Sequence, residues 1–161
     1  MDLKRWIGIC VLALLLCGCR AEETLETVSD EWLVPAMAKP REISVHLPED
    51  AVTPVLEQDG RRLYMGRDYE IMLETLSSGD LSATIRSLCG YEQDQLTVLE
   101  TRQGDYSRYD FVWTMAGETG DRLGRAVILD DGEYHYCMSA IRDQGDTQIP
   151  WRDVFGSFSL T

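Results

Sequence analysis

The chain has 161 residues, 44% of them apolar and 27% charged, and its 15 Lys+Arg against 28 Asp+Glu give a formal net charge of −13. These proportions suit one ordinary globular domain and exclude a disordered, collagen-like or multi-span membrane chain. With this charge and no contiguous basic patch, the chain repels phosphate backbones, which excludes a nucleic-acid module.

Lys4 and Arg5 precede an 11-residue apolar run from Trp6 to Leu16. Crossing a bilayer takes about 20 such residues, whereas an export signal needs about 7 to 15. Residues 1–18 therefore read as a cleavable signal peptide, and Cys10 and Cys17 leave with it. Leu16-Cys17-Gly18-Cys19 resembles the lipobox of bacterial lipoproteins. The resemblance implies that Cys19 becomes the lipid-bearing first residue, and a multi-chain lipid gives lasting attachment where one chain would not. The expected location is the cell membrane, lipid-anchored and facing outside the cytoplasm. Residues 19–40 carry Glu22, Glu23, Glu26, Asp30 and Glu31 and then Pro35 and Pro40, a polar composition that suits a tether. A short amphipathic helix from Thr27 to Leu33 reads equally well.

The remaining stretch, 41–161, predicts strands, one helix, a meander and a last helix. Glu42 to Leu47 alternates polar and apolar residues ahead of Pro48, the period of a half-buried strand. Pro54–Gln58 and Arg62–Met65, separated by Asp59-Gly60, predict a hairpin, and Tyr69–Leu76 alternates again. Leu81, Ile85 and Leu88 fall on one helical stripe, with Ser78 or Asp80 as the cap and Gly90 as the stop. Leu96–Thr101, Tyr106–Met115, Arg122–Leu129 and Glu133–Arg142 then predict an antiparallel meander. A two-residue Asp131-Gly132 turn would set Leu129 opposite Tyr134, Ile128 opposite His135, Val127 opposite Tyr136 and Ala126 opposite Cys137. That pairing puts Val127, Leu129, Tyr134, Tyr136 and Met138 on one face and Gly124, Ala126, Ile128, His135, Cys137 and Ser139 on the other. Tyr109, Phe111, Trp113 and Met115 share a core-like face, which leaves Tyr106, Arg108 and Asp110 opposite with no decisive role. Pro150 opens a helix whose Trp151, Val154, Phe155 and Phe158 lie on one side, expected to pack on the sheet.

The expected fold class is α+β, a single antiparallel β-sheet with a mid-chain helix and a C-terminal helix packed on it. The strand order, the run Arg125-Ala126-Val127-Ile128 with Tyr134-His135-Tyr136-Cys137, and the terminal Trp151-x-x-Val154-Phe155-x-Ser157-Phe158 resemble the Mog1/PsbP-like α/β fold. The resemblance covers 41–161 and implies a binding partner or assembly factor for a larger complex. It transfers no catalytic or cofactor-binding residue.

Of five cysteines, only Cys89 and Cys137 are left for the exported domain. They could meet as a disulfide closing a loop of roughly 50 residues, stabilising by about 4 kcal/mol in the chain-entropy model, or pack as small hydrophobes. His46 and His135 belong to no ligand-spaced cluster, so no metal or cofactor is expected. His135, between Tyr134 and Tyr136, reads as a hydrogen-bonded strand residue sooner than a general base. Asp130-Asp131-Gly132-Glu133 and Asp143-Gln144-Gly145-Asp146 read as turns sooner than calcium loops, and Gly117–Arg122 reads as a hairpin loop, not a phosphate loop. The expectation is a non-catalytic binding or accessory module for an envelope partner. The alternative is an envelope enzyme or small-ligand binder whose site, with His135 and nearby carboxylates, assembles only in three dimensions.

Overall fold

The computed structural model describes residues 38–118, 120–143 and 149–161. The signal peptide, Cys19, most of the tether and most of the Asp143–Asp146 turn lie outside the described residues. The described part is a mostly-sheet α+β fold with two helices and a large antiparallel sheet. In chain order the strands are β1 (Ile43–Ser44), β2 (Leu56–Gln58), β3 (Arg61–Met65), β4 (Tyr69–Ser77), β5 (Leu99–Gln103), β6 (Tyr106–Ala116), β7 (Asp121–Asp130), β8 (Tyr134–Asp143) and β9 (Ser159–Leu160). The helices are α1 (Leu81–Cys89) and α2 (Trp151–Ser157).

Local chemistry sets the connections. Asp59 and Gly60 both adopt positive φ, +46° and +78°, which joins β2 to β3 by a tight turn. Asp80, not Ser78, caps α1: its carboxylate accepts from the Ser82 N–H at 3.0 Å. Gly90 ends the helix at φ +78° and donates its N–H to the Arg86 carbonyl. Helix α1 carries the chain from β4 across the sheet to the far edge, and the meander β5 to β8 then returns to pair with β4. The seven strands lie in the order β2-β3-β4-β8-β7-β6-β5.

Each face of this sheet has its own helix and core. Ile71, Leu73, Val127, Leu129, Tyr136 and Met138 pack beneath Val154, Phe155 and Phe158 at α2. On the other face Phe111, Trp113, Ala126, Ile128 and Cys137 pack beneath Ile85 and Leu88 of α1. A sheet covered on both sides explains why its central strands read as near-continuous apolar runs.

The β7–β8 register differs from the one expected. Asp130 pairs with His135, so Leu129 opposes Tyr136, Ile128 opposes Cys137, Val127 opposes Met138 and Ala126 opposes Ser139. The turn is wider than two residues because the Asp131 side chain organises it, accepting from the N–H groups of Glu133 (3.0 Å) and Tyr134 (2.8 Å). The slip is two residues, so every side chain keeps its expected face. The first strand is also shorter than Glu42–Leu47, since β9 supplies only two pairing residues, Ser159 and Leu160.

Candidate functional site

His135 is 1% exposed, beneath α1. Its Nδ1 shares a hydrogen bond of 2.8 Å with Thr84 Oγ1 in α1, and its Nε2 lies 3.7 Å from Asp130 Oδ2. This arrangement ties α1 to the sheet and leaves the imidazole no substrate-sized approach. Glu74, equally enclosed, is held by Arg61 at 2.7 Å.

Cys89 and Cys137, for which the sequence left a disulfide and separate packing both open, are free thiols in this structure. They belong to the same core, but Cys89 Sγ turns back along its own helix and donates to the Ile85 carbonyl at 3.1 Å. Burial pushes the Cys89 thiol up, and burial together with the Glu74 charge pushes Cys137 well above the ordinary thiol range. Both are protonated at neutral pH and poor nucleophiles.

The acidic turn is structural. Asp131 Oδ2 accepts from the Tyr136 hydroxyl at 2.9 Å, and that hydroxyl accepts the Arg41 N–H at 2.9 Å. Burial works to raise the Asp131 carboxyl, but hydrogen bonds from Tyr134, Glu133 and Tyr136 outweigh it and hold the group below its usual value. Among the described residues no three His, Cys, Asp or Glu side chains converge to hold a metal ion. Burial first, and then the Asp131 carboxylate, push the Tyr136 hydroxyl up to about 12. A raised folded pKa gives stability that is complete below the ordinary tyrosine value of about 10 and lost as pH climbs through the folded one. Tyr136→Phe is expected to cost about 1 to 2 kcal/mol at neutral pH. The gap between wild type and variant should close between about pH 10 and 12 in denaturant titrations.

The feature with the character of a binding surface is the β2 side of the sheet. Strand β2 is an edge strand, exposed at all three residues. Leu56 in β2, Met65 in the adjoining β3, and Val52 and Val55 in the segment leading into β2 are each at least half exposed. The opposite edge, β5, carries Leu99 among Glu100, Thr101, Arg102 and Gln103, as β2 carries Leu56 beside Glu57 and Gln58, so what sets the β2 side apart is the exposed Val52, Val55 and Met65 around it. Sequence reading missed these exposed apolar side chains because Leu56 and Met65 obey strand alternation, and only the sheet order shows that nothing among the described residues covers them.

No helix among the described residues is long and apolar enough to cross a membrane. No family model matches the chain, and no curated protein sequence matches it. A crystal structure from Bacteroides thetaiotaomicron VPI-5482 is similar in fold over 74% of this chain, with a TM-score of 0.51 and 14% identity. The matched region amounts to 45% of that protein's chain, and the likeness is one of fold.

Proposed function

We propose that the protein is an extracytoplasmic lipoprotein, anchored in the membrane through Cys19, whose Mog1/PsbP-like domain is a non-catalytic binding or accessory module for an envelope protein. The observation that supports this most is the β2 edge strand, unpaired on its outer side among the described residues, with Leu56 in it, Met65 on β3, and Val52 and Val55 leading into it each at least half exposed. Natural sheets usually blunt such edges with charge or cover them, and an extended partner segment adds to them as a further strand. The burial of His135, Cys137 and Glu74 inside the fold agrees with a binding role.

Two experiments test this reading. A photo-crosslinker at Leu56 in the native membrane should trap one envelope protein, Leu56→Lys should reduce a label at Val55 by about tenfold, and a label at Leu99 should trap none. Equal trapping from both edges, or none at Leu56, overturns the edge as the interface. Cys19→Ala should leave the protein unlipidated and released from the membrane fraction. A cleaved variant that stays firmly bound overturns the lipid anchor.

A further inference from the structure

Segment 46–50 and α2 enclose a groove. The His46 N–H donates to Ser157 Oγ at 2.8 Å, which lays the segment alongside α2, and the short helical turn Glu49–Ala51 is rooted in the core through Ala51. The groove measures about 560 Å³. Small-molecule sites run from roughly 300 to 1,000 Å³. Most of the lining is apolar, with Leu47, Pro48, Ile149 and Val154 contributing.

The fixed charge along this groove is all of one sign. Glu49 and Asp50 of the turn and Asp153 of α2 are exposed along it, and no Lys or Arg lines it. Among the described residues none of these three carboxylates joins an ion pair, whereas Glu70, Glu74, Asp110 and Asp143 all do. The Tyr69 hydroxyl, on a buried side chain, donates to Asp50 Oδ1 and fixes that carboxylate in place. A cleft with apolar walls and charge of one sign focuses the potential and draws in counter-ions. The carboxylates come from two separate elements that share one apolar lining, which matches a ligand whose positive charges are held apart by hydrocarbon.

We propose that this groove binds a linear aliphatic diamine or polyamine. Its methylenes lie against Leu47, Ile149 and Val154, one ammonium meets Glu49 and Asp50, and another meets Asp153 in charge-assisted hydrogen bonds. The groove shares no lining residue with the β2 edge, so the amine and the protein partner stand or fall separately.

The test is calorimetric titration of the detergent-solubilised full-length protein with putrescine, cadaverine and spermidine. The salt is held at about 0.1 M, where charges more than about 10 Å apart are largely screened from one another. Butylamine supplies a single ammonium on a similar chain, and butanol supplies none. At least one of the three amines is expected to bind about tenfold more tightly than butylamine, and butanol not at all. Asp153→Asn should weaken that amine about tenfold, to the level of butylamine, and Glu49→Gln should weaken it severalfold. Glu57→Gln, which removes an exposed carboxylate outside the groove, should leave it unchanged. Melting temperatures report whether each variant keeps its fold, and Glu49→Gln decides the matter if Asp153→Asn unfolds. Butylamine binding as tightly as all three amines, an Asp153→Asn protein that binds like wild type, a loss at Glu57→Gln equal to that at Asp153→Asn, or no amine bound at about 10 mM overturns the proposal. Crosslinking at the β2 edge is unaffected by any of these results.

Discussion

Gly124→Ala is expected to lower stability by about 3 kcal/mol or more, the upper end of what overpacking a core costs. A Cβ at position 124 would stand 2.0 to 2.5 Å from three carbons of the Trp113 indole, which lies flat over that stretch of β7. Trp113 is itself 4% exposed and packs against Phe111 at a centroid separation of 5.8 Å, so the ring has nowhere to retreat within its core. The constraint is space and not backbone conformation. Trp113→Leu should therefore partly rescue Gly124→Ala, and the two effects should combine well below additively in a urea-denaturation cycle. Additive losses would mean that the glycine acts by some route other than the ring.

The second large effect is expected at Arg108, a residue to which sequence pattern assigns no decisive role. Its side chain is 8% exposed and donates to the carbonyls of Phe155 (2.9 Å) and Phe158 (3.2 Å), securing the end of α2. The same guanidinium holds both oxygens of Asp110, at 2.7 and 3.3 Å, and Arg125 completes the network. Removing one partner of a buried ion pair costs about 3 to 5 kcal/mol, because the groups left behind keep their desolvation cost without compensation. Arg108→Ala is expected in that range. Arg108→Lys should recover only part of it, since an ammonium cannot reproduce the planar fork that serves two carbonyls and a carboxylate together. Full stability in Arg108→Lys, measured by thermal and urea unfolding, would show that charge alone suffices.

The Arg108 network shows where sequence reasoning stops. Strand alternation correctly set Arg108 and Asp110 opposite Phe111 and Trp113, and a strand with one polar face normally shows that face to water. Here α2 lies on it, and a charged residue buried under a helix end reads like an exposed one until the helix is placed. A clue was present nonetheless: Arg125 shares its face with Val127 and Leu129, a charge in a row of core residues. The β7–β8 register failed for a related reason. Asp-Gly predicts a two-residue turn from backbone preference, but the Asp131 carboxylate takes the N–H groups of Glu133 and Tyr134 and widens it.

What the amino-acid order determined by itself is everything governed by neighbours a few residues apart. The Asp59-Gly60 turn, the Gly90 end of α1 with its cap narrowed to Ser78 or Asp80, the apolar stripe of α2 and the two faces of β7 and β8 all follow from local backbone preference and periodicity. The lipobox-like stretch around Cys19 is legible in the same way, because a short linear pattern carries it. Tertiary structure alone decided which strand became the open edge, that Cys89 and Cys137 share a core without bonding, and that Glu49, Asp50 and Asp153 line one groove. These depend on contacts between residues dozens of positions apart, which form only when the meander returns to β4 and each helix settles on its own face of the sheet. Alternation records which side of a strand a residue occupies, whereas burial and partnership depend on what the rest of the chain lays over that side.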